Sequence, residues 1–373
     1  MRLLVTGGGT GGHVYPALSI LAALRRGLAK RNEGNVQVLY LGSRGGLEEG
    51  IVKRAGLPFR TVPTGAVVGR SPLAVLTNLV RTVAGTLASW RLIRGFRPQV
   101  LLATGGYVAV PAVLAARLAG VPSLIYLPDV TPGLAVRFLS RFAAKVAVTF
   151  ADTQRWLPAE RTVVTGYPVR EELFGVDRAA ARQALGLHDG LPVVVVLGGS
   201  RGSRSINRAV RAAWSELLPV CHILHVAGLL DEPWLAKEAQ DLSAELHAHY
   251  HLYAYLHEEL PQALAAADIA VSRAGASIMG EYPAVGVASV LVPYPYAGGH
   301  QVLNARQLVA QGAALIVNDG ELPSGALGLA VRQLLADPER LAAMRAAARE
   351  LAKPNAAQDI ADLLLALAGR RAA

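Results

Sequence analysis

Four times along this chain a short apolar run stops in a cluster of small residues and gives way to a helical pattern. The runs cover residues 2–5, 100–102, 192–197 and 268–271, and the small-residue turns cover 6–13, 103–107, 198–203 and 272–277. Helical periods follow over 16–28, 111–118, 205–217 and 279–284. Buried strands that alternate with helices pair in parallel, with helices on both faces of the sheet. The predicted fold is therefore α/β, with two Rossmann-like doubly wound domains facing across a cleft. A length of 373 residues agrees with two domains, because single cores stop growing at roughly 250–300 residues. The sequence places an N-terminal domain at 1–166 and a second at 167–355, the hinge being Gly166-Tyr167-Pro168-Val169-Arg170. A last helix, 356–373, is read as crossing back onto the first domain.

Strand-to-helix turns of this kind suit phosphate. Gly275 and Ala276 let the backbone approach an anion, and the free N–H groups of the following helix add about half a positive charge. Ser277 and Ile278 fall at that helix entrance, while Glu281, about a turn further in, faces a neutral polar group such as a ribose. Gly7, Gly9 and Gly12 formally satisfy the dinucleotide fingerprint. The second strand argues against a nicotinamide enzyme, since it ends in Gly42-Ser43-Arg44 where a ribose-binding acid is needed. His13 stands at a helix entrance, where a neutral imidazole can accept a proton; a packing or capping role is the alternative.

Charge divides unevenly. Through Arg170 there are 21 Lys and Arg against 6 Asp and Glu, a balance of +15; the remaining residues have 16 and 21, a balance of −5. The first half should meet something anionic, and nothing in the pattern calls for nucleic acid. Cys221 is the only cysteine, which excludes an internal disulfide. Residues 3–6 are too short for a secretory core, so no leader is expected. Segment 73–97 mixes apolar residues with Arg81, Arg91, Arg94 and Arg97. It reads either as a helix lying on an anionic membrane surface or as an amphipathic helix covering the sheet. No Asp-x-Asp and no His/Cys cluster at metal spacing is found, so neither a metal nor another cofactor is expected.

These motifs resemble the glycosyltransferases of family 28, which have the GT-B fold. Within that family they resemble the branch that transfers N-acetylglucosamine from a UDP donor to a lipid-linked muramyl-pentapeptide pyrophosphate. The resemblance runs nearly end to end. It rests on Gly8-Gly9-Thr10-Gly11-Gly12-His13 with Pro16 and Ala17, on Gly105-Gly106-Tyr107-Val108, and on Gly198-Gly199-Ser200. Further matches are Arg273-Ala274-Gly275-Ala276 with Glu281, and His300-Gln301 with Asn304-Ala305.

The resemblance implies that UDP-N-acetylglucosamine is held by the second domain. The backbone near Leu256 would read uracil, Glu281 the ribose, and Ser200 with the amides of Ala276 to Ile278 the pyrophosphate. Gln301, beside His300, would hold sugar hydroxyls, and Arg170 would lie near the leaving group. Thr10, Gly11, Gly12, Gly105, Gly106 and Tyr107 would receive the pyrophosphate of the lipid-linked acceptor, with His13 facing the reacting hydroxyl. It further implies inverting chemistry, a peripheral place on the cytoplasmic face of a bacterial membrane, and work beside other cell-wall enzymes in peptidoglycan synthesis, cell shape and division.

The chain departs from the family pattern at Tyr126-Leu127-Pro128-Asp129, where a His-Glu-Gln-Asn run is usual, and at Val136, Tyr167, Arg201 and Ile278. Asp129 thereby becomes a second candidate for the catalytic base. A family 28 relative with another lipid or small-molecule acceptor, and a non-catalytic UDP-sugar-binding protein, are the competing readings. A sugar-nucleotide epimerase would need acid and base carboxylates that the sequence does not place.

Overall fold

A computed structural model describes every residue except 10, 66–71, 200, 201, 297 and 373; the side chains of 72–75 and 370–372 are also not described. Thr10, Ser200 and Arg201 therefore lie outside the described residues. The chain forms two compact units, Met1–Val169 with Asn355–Ala373, and Arg170–Pro354.

Unit 1 is built on seven parallel strands: β1 (Arg2–Thr6), β2 (Gln37–Gly42), β3 (Phe59–Thr61), β4 (Val100–Ala103), β5 (Ser123–Leu127), β6 (Lys145–Val148) and β7 (Thr162–Val164). Their order is β3-β2-β1-β4-β5-β6-β7. The chain works outward from β1 to one edge and returns to β4 on its other side. In register Thr6 lies opposite Ala103, so the turns after β1 and β4 leave the sheet side by side. Ligands of open α/β sheets bind at such a reversal of strand order. Strands β3 and β7 have no sequence signature, because each is only three residues long and carries no fully apolar run.

The boundary between units falls after Val169 and not after residue 166. Tyr167 and Val169 are buried in unit 1, and the Tyr167 ring meets Tyr126 edge-on with centroids 6.2 Å apart. The last helix, Ala356–Ala372, lies along Gly11–Lys30. Its Ile360, Ala361 and Leu364 are fully buried, and Asp362 pairs with Arg31 at 3.0 Å.

Unit 2 has six parallel strands: β8 (Val193–Leu197), β9 (His222–Val226), β10 (Tyr250–Tyr253), β11 (Ile269–Ser272), β12 (Ala288–Leu291) and β13 (Ala314–Ile316). The order β10-β9-β8-β11-β12-β13 reverses between β8 and β11, where Ser272 lies opposite Leu197. Val193 to Val196 are all buried, as strands covered on both faces require. The helix expected over 205–217 breaks at Ala213 into Arg204–Ala212 and Trp214–Leu217. At the opposite end of β11, Asp268 accepts hydrogen bonds from Arg182 Nη2 at 2.7 Å, from Arg178 Nη2 at 2.5 Å and from the Val193 amide at 2.9 Å. Arg345 Nη1 adds a contact at 3.4 Å. Among the described residues no helix is long and apolar enough to cross a membrane.

Candidate active site

The two glycine turns of unit 1 are locked to each other. The Gly8 amide donates to the Gly105 carbonyl at 3.3 Å. Gly106 has φ of +80°, and a Cβ there would collide with the Gly8 carbonyl oxygen. Only glycine meets both demands. The Thr104 hydroxyl donates to the His13 carbonyl at 2.6 Å, and buried Tyr40 donates to the Gly7 carbonyl at 2.8 Å. Thr6 and Ala103 are paired in register, so these bonds continue the ladder into the turns.

The helix after β1 starts at Gly11, a turn earlier than the sequence indicates. Proline favours the first position of a helix, which is why Pro16 reads as the start; here it lies within the helix. Gly11, Gly12 and His13 therefore make up the first turn. His13 Nδ1 lies 2.9 Å from the Gly8 carbonyl oxygen, which can only accept, so Nδ1 carries the proton. Nε2 is then the ring nitrogen whose lone pair can accept a proton. Gly105 packs against that ring, leaving no space for a side chain. Tyr107 is exposed at the rim.

One supporting residue has no counterpart in the sequence reading. Glu48, in the first turn of Leu47–Arg54, has no exposed surface. Its carboxylate accepts from the Gly9 amide at 3.1 Å, the Ser43 amide at 2.8 Å and the Ser43 hydroxyl at 2.5 Å. Burial opposes its charge, but these hydrogen bonds prevail and hold its pKa below the ordinary carboxylate value. An acid in a first helical turn is common enough that sequence alone gives it no distinction.

Asp129 follows β5 and is half-buried. Tyr126, which replaces a polar family residue, is fully buried and bonds Thr149 Oγ1 at 3.0 Å. Val136 packs against the core of unit 1. These altered positions, like buried Tyr167, thus serve packing. A groove of about 670 Å³ lined by Arg25, Arg60, Arg91 and Phe96 shares no residue with the glycine turns.

In unit 2 the described part of the turn after β8 seats against the end of β9, the Gly198 amide donating to the Val226 carbonyl at 3.4 Å. Gly202, at φ +76°, lies against the Ala227 carbonyl, where a Cβ would clash. Arg273 turns inward and donates to Val292 O at 3.1 Å and Ser205 Oγ at 2.7 Å, and pairs with Asp319 at 2.6 Å. It ties the turn after β11 to the helix after β8 and to the segments that follow β12 and β13. Buried Asn304 donates to the Ala274 carbonyl at 3.2 Å and fixes the same turn from the other side. Among the described residues the Ala276 and Ser277 amides make no hydrogen bond, as an anion site requires, whereas the Ile278 amide reaches Gly275 O at 3.3 Å. Gly275 gives that turn its closest approach, since no atom stands where its side chain would be.

Arg170, Leu256 and Glu281 are brought together. Arg170 Nη1 donates to the carbonyl of His257 at 3.3 Å, next to buried Leu256. Burial raises the Glu281 carboxyl above its ordinary value, and the Ser277 side chain and the Arg170 charge oppose that rise. His300 opens the helix His300–Ala310 directly after Gly299, a left-handed residue. The Tyr294 amide donates to Gln301 Oε1 at 2.8 Å, which assigns the side-chain NH2 of Gln301 as a donor.

A buried network supports the turn after β8. Asn207 links Asp231, the Ala227 carbonyl and His225, and His225 Nδ1 meets Tyr250 Oη at 2.9 Å. Burial pushes the His225 pKa down to about 3. The ring is neutral in the fold but binds a proton in the unfolded chain below its ordinary value near 6.5. Stability should therefore fall as pH drops from about 6.5 toward 3, by about 1.4 kcal/mol per pH unit for this group. Chemical denaturation across pH 4 to 6.5 checks this, with a slope about that much shallower expected in His225→Gln.

Comparison with known proteins identifies the family. The chain matches the glycosyltransferase family 28 N-terminal domain over residues 3–148 and the family 28 C-terminal domain over 193–364. It is 46% identical to a protein of Roseiflexus sp. (strain RS-1) named UDP-N-acetylglucosamine–N-acetylmuramyl-(pentapeptide) pyrophosphoryl-undecaprenol N-acetylglucosamine transferase, covering 100% of this chain and 96% of that one. A protein of the same name from Desulforudis audaxviator is 43% identical over 99% of each chain. Among solved structures, MurG of Acinetobacter baumannii superposes with a TM-score of 0.74 at 27% identity, covering 98% of this chain and 99% of that one. UDP-GlcNAc 2-epimerase of Neisseria meningitidis shares the fold, with a TM-score of 0.67 at 17% identity over 98% and 100% of the chains. With both family domains in order and full-length relatives well above 30% identity, this chain is an enzyme that belongs to glycosyltransferase family 28.

Proposed function

We propose that this enzyme moves N-acetylglucosamine from UDP-N-acetylglucosamine to N-acetylmuramyl-(pentapeptide) pyrophosphoryl-undecaprenol, in a single inverting displacement. The observation that carries this reading is that relatives 35–46% identical, each covering at least 96% of this chain, bear one and the same transferase name. The chemistry of each unit agrees with it. In unit 1, His13 Nε2 takes the proton of the acceptor hydroxyl while the glycine turns receive the acceptor pyrophosphate. In unit 2, Glu281 holds the ribose, the backbone beside Leu256 the uracil, and the amides of Ala276 and Ser277 the donor pyrophosphate. Gln301 and His300 contact the sugar, and Arg170 with the helix entrance stabilises the charge of departing UDP. The test is the product: an α-linked donor should give a β-linked disaccharide by NMR coupling constants. An α-linked product would contradict the single displacement.

Helix Pro72–Phe96 supports a peripheral place on the membrane. Its C-terminal half packs on the core through Ile93, with Trp90, Leu92 and Phe96 beside it. Leu76, Leu79, Val80, Val83 and Leu87, at helical spacing over its first two thirds, are each more than half exposed. Exposed Arg81, Arg91 and Arg94 add charge suited to anionic headgroups. Burying each apolar side chain in lipid is worth roughly 1.5–3 kcal/mol. Leu79→Glu with Val83→Glu should therefore lower co-sedimentation with anionic vesicles by at least about tenfold, with transfer to a short-chain soluble acceptor retained. Unchanged sedimentation would remove this stripe from the membrane contact, and equal partition onto neutral and anionic vesicles would remove the arginines. The core-packed Tyr126 and Val136 leave a second reading, a different lipid or small-molecule acceptor, which the same product analysis separates.

A further inference from the structure

At the amino-terminal edge of the unit 2 sheet, away from the turns after β8 and β11, three side chains from separate segments converge. Asp189 lies in the loop before β8, His222 opens β9, and His249 immediately precedes β10. Their carboxylate and imidazole ligand atoms all lie within 4.8 Å of one another. We propose that Asp189, His222 and His249 bind a divalent transition-metal ion of the zinc class, with solvent water completing a four-coordinate site.

The hydrogen bonds around the cluster orient all three ligands. His249 Nδ1 lies 2.7 Å from the Leu218 carbonyl oxygen, so Nδ1 carries the hydrogen and Nε2 presents its lone pair to the cluster. That lone pair faces Asp189 Oδ2 at 3.6 Å. A cation between these two electron-rich atoms satisfies both, and a metal ion, unlike a proton, also engages His222. His222 Nε2 is 2.9 Å from both Asp189 oxygens, and its Nδ1 meets His251 Nε2 at 3.1 Å. Each ligating imidazole thus has its other nitrogen engaged, as in the outer hydrogen bonds that fix metal-binding histidines. The two rings stand at 72° with centroids 4.8 Å apart, so their in-plane lone pairs approach from different directions.

Ligands about 2.0–2.1 Å from a tetrahedral ion stand about 3.3 Å apart, and the Asp–His separations of 2.9 and 3.6 Å bracket that value. Imidazoles with one carboxylate select zinc-class ions over magnesium. Nearly buried His222 anchors the site, and the more exposed Asp189 side chain leaves an entry path and a place for water. The ligands are 33 and 27 residues apart, which is why no motif spacing announces them. An ion there would clasp the loop before β8 to β9 and β10.

The test uses the tag-free full-length chain, stripped with chelator and titrated with Zn²⁺ by calorimetry and with Co²⁺ by visible absorption. One equivalent of each ion is expected to bind, Co²⁺ giving low-symmetry d–d bands, and Zn²⁺ should raise the thermal midpoint. Asp189→Asn and His249→Gln, at side chains that are not fully buried, should each weaken Zn²⁺ by at least about tenfold while keeping the melting behaviour of the metal-free wild type. Absence of binding to the wild type overturns the proposal. So does equal affinity in either variant, which would place the ion elsewhere.

Discussion

Replacing His13 with alanine is expected to lower turnover by about 10²–10⁴-fold, the usual contribution of a general base. The effect should appear equally in kcat and kcat/KM, because proton removal helps only in the transition state. Binding of UDP-N-acetylglucosamine should not change, since His13 belongs to unit 1 and the nucleotide-type turns to unit 2. The expectation rests on tautomer as well as position. With Nδ1 held by the Gly8 carbonyl, Nε2 is the nitrogen able to accept a proton. Asp129→Asn provides the contrast. Asp129 lies beside the buried Tyr126 hydroxyl, whose pKa rises chiefly by burial and in part through the Asp129 charge. Its replacement should cost less than about tenfold; a larger loss there than in His13→Ala would transfer the base to Asp129.

Asp268→Asn is expected to destabilise unit 2 by about 3–5 kcal/mol, as breaking buried ion networks does. The Asp268 side chain is only 12% exposed and faces Arg178, Arg182 and Arg345 together. An asparagine keeps the shape, removes the one anion and leaves three guanidinium groups repelling each other. Burial followed by the charge of Arg178 already lowers the Arg345 pKa, and loss of Asp268 removes a stabilising partner. For a unit of this size the thermal midpoint should fall by on the order of 10 °C. A shift below about 2 °C would mean that solvent relieves the repulsion, and that the network does not clamp the start of β11.

Much of this architecture follows from local pattern. Runs such as Val193 to Leu197 are apolar on both faces and end in glycine, so strand, turn and helix can be read together. Arg170, Leu256 and Glu281, far apart in sequence, were grouped by family resemblance alone, and the fold brings them near one another. What stayed hidden depends on tertiary contact. Glu48 looks like any acid in a first helical turn until its carboxylate is seen holding the Gly9 and Ser43 amides. Arg273 sits in a phosphate-type turn, and only the fold shows that it points inward to Ser205, Val292 and Asp319. The start of Gly11–Lys30 was obscured by Pro16, because proline's preference for a first turn outweighs the weak helical signal of Gly11 and Gly12.

The most direct measurement is UDP release from UDP-N-acetylglucosamine, with and without a short-chain analogue of the muramyl-pentapeptide lipid pyrophosphate. Release that requires the analogue is the expected result, and it would unite the donor turns of unit 2 with the base and glycine turns of unit 1 in one reaction. Donor binding with no acceptor-dependent release would contradict the account and assign the enzyme to another acceptor.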